Sequence, residues 1–209
     1  MKKPEMYQIY FARFISVLLH PLFMPAYGLM IIFTAPTLYF YLPAEVKKIL
    51  MLVLVANNII VPAALIPLFR HRNIISSWTM EKREERVIPL LATAVTYVIT
   101  SIIVNRFGLP VMIKAYFNSV SIVALAMLVI NFRFNISLHS AGAGALTAVV
   151  AVLWIVMAEN LVWFMVPVLL VSGLIITLRL ILNAHKPAEV YAGYLTGLAI
   201  VSVVMLIFQ

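Results

Sequence analysis

Cysteine is absent from the 209 residues, which excludes disulfides, thiolate nucleophiles and cysteine-ligated metals and leaves the redox compartment unmarked. Aspartate is absent as well. All seven acidic residues are glutamates, Glu5, Glu45, Glu81, Glu84, Glu85, Glu159 and Glu189. Aspartate-rich metal chemistry, of the prenyl-transferase or two-metal phosphoryl-transfer kind, therefore has almost nothing to build on, and no metal or other cofactor is expected. Charge of either sign is scarce: 11% of residues are charged against 65% hydrophobic, with a mean hydropathy of +1.10. That composition points away from a water-soluble fold and toward an integral membrane protein. Polar alternation, the mark of a membrane barrel, is missing from the apolar runs. The expected class is thus all-α, a single transmembrane domain over residues 1–209 formed by a bundle of about six to seven helices.

What is present are long apolar runs. With about 20 residues per crossing, candidate spans fall near 14–41, 49–69, 87–105, 112–131, 140–157, 161–181 and 188–208. The first is too long for one simple crossing and contains His20-Pro21 and Pro25. It is expected either to split, with residues 7–20 along the membrane interface, or to kink. Basic residues precede it, but no small-residue cleavage site follows, so the segment is expected to be retained. The net charge of +8 is spread over short loops rather than one basic face, which suits anionic membrane lipids and gives no reason to expect nucleic acid. Seven spans place the termini on opposite sides, and eleven of the fifteen cations then share the side of the N-terminus. Positive-inside bias would make that side cytoplasmic.

Three polar clusters share that side. In WTMEKREERVIPLL, residues 78–91, Lys82 and Arg86 are four apart, hence on one face of a helix; a plain charged helix end fits these residues equally well. In NFRFNISLHSAGAGALTAVV, residues 131–150, Arg133, Ser137 and His139 run into a start made of Ser140, Ala141, Gly142, Ala143, Gly144 and Ala145. Such a run is either a close-packing seam or a helix start whose free N–H groups hold an anion. In RLILNAHKPAEVYAGYL, residues 179–195, Arg179 ends one span, Pro187 suits the first turn of the next, and His185 and Glu189 share a side of that start. Fixed cations with two histidines, one beside a carboxylate, suit phosphate. The cations offset charge on its oxygens, one His attacks phosphorus, the second protonates the leaving oxygen, and the carboxylate holds the attacking imidazole in one tautomer.

With these clusters in this order, over residues 82–189, the chain resembles the type 2 phosphatidic acid phosphatase superfamily, whose membrane members dephosphorylate lipid phosphates and pyrophosphates. The family pattern is K-x6-R-P, then P-S-G-H, then S-R-x5-H-x3-D. The third motif matches best, as Arg179, five residues, His185, three residues and Glu189; the second is I-S-L-H. This chain departs from the pattern in Leu178 for Ser, Glu189 for Asp, Ile136 for Pro, Leu138 for Gly, and a first motif with Lys82 and Arg86 only four apart. The resemblance implies a phosphatase-like helical core and a lipid phosphatase acting through a phosphohistidine without a metal. Lys82, Arg86, Ser137 and Arg179 would bind phosphate, His185 would be the nucleophile, His139 the acid for the leaving group and Glu189 the orienting carboxylate. The implied partners are a lipid phosphate or pyrophosphate substrate and membrane lipids. The implied location is a bacterial inner (cytoplasmic) membrane. On sidedness the resemblance, which implies an outer or periplasmic site, opposes the charge bias.

Two other functions fit parts of the sequence. A catalytically inactive relative binding anionic lipid head groups would keep the cations but tolerate loss of His185. A membrane transporter would use polar residues within spans, Asn57 and Asn58 foremost. A haem bundle built on His20, His71, His139 and His185 is disfavoured, since these sit mainly near span ends.

Overall fold

The computed structural model describes residues 6–77, 80 and 83–208. Lys82 and Glu81, named above, lie outside them. The described residues form nine α-helices: α1 Met6–Leu18, α2 Met24–Thr34, α3 Ala44–Leu54, α4 Val61–His71, α5 Val87–Asn105, α6 Val111–Asn131, α7 Leu138–Met157, α8 Val162–Ile181 and α9 Pro187–Ile207. Grouped by continuity, they give seven apolar helical segments long enough to cross a membrane, Ile9–Thr34, Ala44–His71, Glu84–Asn105 and α6 to α9. An integral membrane helical bundle follows directly.

The first segment ends earlier than the apolar run predicts. Pro36 restricts Ala35 to an extended conformation, φ −61° and ψ 143°, so α2 stops at Thr34 and Leu38–Tyr41 forms a separate 3₁₀ turn rather than reaching 41 within a helix. Within the segment, Pro21 lacks the N–H that would extend α1. The chain breaks at Leu19–His20 and re-enters through a 3₁₀ turn, Pro21–Phe23, capped by the His20 side chain.

Between α3 and α4 the helix widens to a π turn, Val55–Ile60, that carries Asn58 inward. Asn58 is 1% exposed; its Oδ1 accepts from Thr100 Oγ1 at 2.6 Å, while its Nδ2 has no partner among the described residues. An orphaned buried donor costs about as much as a neutral hydrogen bond contributes. Asn58→Leu is therefore expected to leave thermal stability in detergent within about 1 kcal/mol of the parent, because Thr100 keeps its bond to Thr96 O. A loss of several kcal/mol in a melting experiment would show that Nδ2 has work to do.

The bundle is organised around α7, whose buried residues run from Ser140 to Leu153. Its closest neighbour is α9. A β-carbon placed on Gly144 would overlap the carbonyl of Tyr194, and one on Gly197 the carbonyl of Ala141, so these two helices meet backbone to backbone. Outward faces are apolar, as in Trp163, Leu170, Ile155 and Val129, each well exposed for lipid contact.

Candidate functional site

The α7–α9 seam fixes the two helix starts that matter. Ser137 N donates to Glu189 O across them at 3.2 Å. Immediately before α9, α8 ends in a turn closed by Asn183 in the left-handed conformation, φ 49°, and Pro187 opens α9 at its first turn. That short reversal returns the chain past Arg179, so Arg179, His185 and Glu189 gather at one end of the bundle.

Glu189 is 9% exposed, and a single oxygen, Oε2, takes three donors: His185 Nδ1 at 3.0 Å, Lys186 N at 3.1 Å and Asn135 Nδ2 at 3.3 Å. The bond to Lys186 N is the ordinary reach of an N3 glutamate back to its helix cap. The bond to His185 is additional. His185 also places Nδ1 3.2 Å from Asn135 O, so both contacts use Nδ1 and Nε2 is the ring nitrogen left for the cavity. Burial pulls His185 below the usual histidine range; the hydrogen bond and charge of Glu189 oppose that pull, and Arg86 adds to it. The ring is thus neutral at pH 7, with its proton on Nδ1 toward the carboxylate.

Asn135 joins the second part of the site to the first. Its Oδ1 accepts from Arg86 Nη1 at 2.9 Å while its Nδ2 serves Glu189. Arg86 Nε donates to Met80 O at 2.8 Å, which fixes the guanidinium plane. The helix that follows begins at Val87, so Arg86 caps α5 and lies in a 3₁₀ turn rather than on an α-helical face. Glu85 turns away, accepting from Ser76 N and Oγ.

On the opposite wall, Arg179 is 9% exposed and donates through Nη2 to Ser16 Oγ. His139 Nε2 lies 3.3 Å from Ser16 O, and its ring meets that of His20 edge-on, centroids 5.5 Å apart. Two imidazoles packed that closely leave no space for a macrocycle between them, and His71 sits apart at the end of α4. No group of three or more His or Glu side chains converges as metal ligands among the described residues.

These walls enclose a cavity of about 1040 Å³. Arg13, Arg86, Arg179, His20, His139 and His185 line its mouth, and no carboxylate is among its described lining residues. Its depth is apolar, bounded by Leu90, Tyr97, Val120, Val149 and Val201. From Leu138 to Val149, α7 follows it over eleven residue steps, about 16 Å at 1.5 Å each, roughly half the hydrocarbon core of a bilayer.

Of the residues singled out in the sequence, Arg86, His139, Arg179 and His185 share the cavity wall, and Glu189 stands behind His185. Ser137 does not join them. It is 0% exposed and caps α7, its Oγ accepting from Ser140 N at 3.4 Å and from Ser140 Oγ at 3.0 Å. The small-residue run accordingly divides: Gly144 serves the seam with α9, while Gly142 and Ala145 face the cavity. Four residues absent from the sequence-based set also belong here: Arg13, Ser16, His20 and Asn135. Only the i, i+3, i+7 spacing of Arg13, Ser16 and His20 in the sequence signals the first three; nothing local marks Asn135. Comparison of the chain with family models, with curated proteins and with solved structures gives no match.

Proposed function

We propose that the chain is a membrane-embedded lipid phosphatase with a core of the type 2 phosphatidic acid phosphatase kind, hydrolysing a lipid phosphate or pyrophosphate through a phosphohistidine. The observation that supports it most is the His185–Glu189 pair at a cationic cavity mouth. A neutral imidazole with Nδ1–H held by a carboxylate presents the Nε2 lone pair where Arg86 and Arg179 receive a phosphate. Nε2 attacks phosphorus, the ester P–O bond breaks, and its electron pair leaves with the alkoxide, which takes a proton from His139. Water then attacks the phosphohistidine, His139 accepts the proton, the P–N bond breaks and inorganic phosphate departs. The tail lies in the apolar depth. Cations at one end and hydrocarbon below also suit a non-catalytic head-group binder, and loss of His185 separates the two.

The test is phosphate release from a panel of lipid phosphates and pyrophosphates by detergent-purified protein, with and without chelator. Chelator-resistant release supports the proposal; binding without release from any panel member supports the binder.

The pH profile carries a signed prediction. Attack needs neutral His185, so the acid limb of kcat/KM lies below about 6.5, the ordinary histidine value. Arg86→Gln removes a charge that lowers the His185 pKa and moves the limb to higher pH. Glu189→Gln removes influences that raise it and moves the limb to lower pH, while also slowing the reaction. Limbs that shift together, or not at all, would separate the limb from His185.

A further inference from the structure

Helix α1 meets the site next to its break. Leu19 N still donates to Ile15 O at 2.9 Å, but His20 N turns to Val17 O at 3.3 Å, one residue short of the helical register. The carbonyl of Ser16, which His20 N would otherwise occupy, is released and takes His139 Nε2 at 3.3 Å. The Leu18 carbonyl, freed in the same way, accepts from Tyr27 Oη at 2.8 Å and pins the broken end to α2. The Ser16 hydroxyl donates back to Ala12 O at 2.5 Å, which aims its lone pairs at the Arg179 guanidinium. One residue of α1 therefore holds both groups proposed to meet the phosphate from this side.

His20 completes the arrangement. Its Nδ1 accepts from Leu22 N at 3.3 Å, so its ring orientation is set by the 3₁₀ turn, and its ring packs edge-on against His139. Arg13, Ser16, Val17 and His20 fall at i, i+3, i+4 and i+7, and all four line the cavity. The motifs that carry the resemblance include none of them.

Resting on the phosphatase reading above, we propose that Ser16 and His20 are positioning residues for phosphoryl transfer. Ser16 sets the guanidinium of Arg179 and, through its carbonyl, the ring of His139; His20 backs that ring. Arg179 has five N–H donors, and giving one edge to Ser16 leaves the rest for phosphate oxygens in a fixed plane. His139, tied at Nε2, cannot swing away from the leaving oxygen.

The experiment compares wild type with Ser16→Thr, Ser16→Val and His20→Phe on two substrates. One is the lipid phosphate best cleaved in the panel, with an alkoxide leaving group; the other is p-nitrophenyl phosphate, whose leaving group needs little protonation. Thr and Val are nearly isosteric, so the pair isolates the hydroxyl. Ser16→Val is expected to raise KM about tenfold or more on both substrates, with Ser16→Thr within about threefold of wild type, since a misplacement near 1 Å costs on the order of a hundredfold. His20→Phe should lower kcat/KM on the lipid by about thirtyfold but on the aryl phosphate by less than about fivefold, because only the former depends on His139 as acid. kcat/KM reports steps through loss of the leaving group, so hydrolysis of the phosphoenzyme does not mask the contrast. Equal activity of the Thr and Val variants, or equal losses on both substrates for His20→Phe, overturns the proposal. No release by wild type from either substrate removes the phosphatase reading itself, and the positioning roles with it.

Discussion

His185→Ala is expected to reduce phosphate release from the preferred lipid by about three orders of magnitude or more and to abolish the covalent phosphoenzyme. In the proposed mechanism the ring contributes the atom that bonds phosphorus, and the described neighbouring imidazoles are already engaged. His139 Nε2 is committed to Ser16 O, and the His20 ring is fixed through Nδ1. Quenching in alkaline detergent after a brief incubation with ³²P-labelled substrate, followed by separate acid and base lability tests, distinguishes the adduct. A phosphohistidine survives base and is lost in acid. Wild type should show such an adduct and His185→Ala none, while head-group binding by the variant persists because Arg86 and Arg179 are untouched. Undiminished release by His185→Ala would falsify the nucleophilic role and leave the cationic mouth to some other use.

A second large effect is expected far from any reacting atom. Gly197→Leu sets a branched side chain against the Ala141 carbonyl, where even a β-carbon overlaps. Overpacking of a tight core commonly costs about 1–3 kcal/mol, and here the obstacle is backbone that cannot rotate away. We expect α9 to shift off α7, the Ser137 N to Glu189 O bond to break, and His185 to lose its register with His139. The measurements are melting temperature in detergent and kcat/KM on the same preparation. Both should fall, activity by about a hundredfold, since misplacement near 1 Å costs that much. Leucine at Gly173, around which a β-carbon would meet nothing, should change neither. Full activity and stability in Gly197→Leu would mean that the seam does not carry the site.

The seven spans were legible because hydropathy over about 20 residues is a strong signal in a helical bundle. The ends were less so. The run expected to continue to 41 stops at Thr34 because of one proline, a local steric event that averaged hydropathy smooths over. Arg179, His185 and Glu189 could be read together because one short turn joins them. Ser137 could not be placed: a serine before a small-residue helix serves as a cap or as an anion ligand with the same sequence, and burial assigns it to the cap. Asn135 was beyond reach for another reason, and Ser16 and His20 showed only a local spacing that names no partner. Ser16 meets Arg179 across 163 positions and His139 across 123, and single polar residues at such separations carry no pattern.

The cavity mouth has three arginines and no carboxylate among its described lining residues. Such a fixed positive field does not distinguish an arriving phosphate ester from the phosphate left behind after hydrolysis. In a low-dielectric setting the attraction is weakly screened, so under the proposed phosphatase reading release of inorganic phosphate is expected to be slow. Turnover of the proposed phosphatase would then respond to ambient phosphate and ionic strength, with added inorganic phosphate acting as a brake on the cycle.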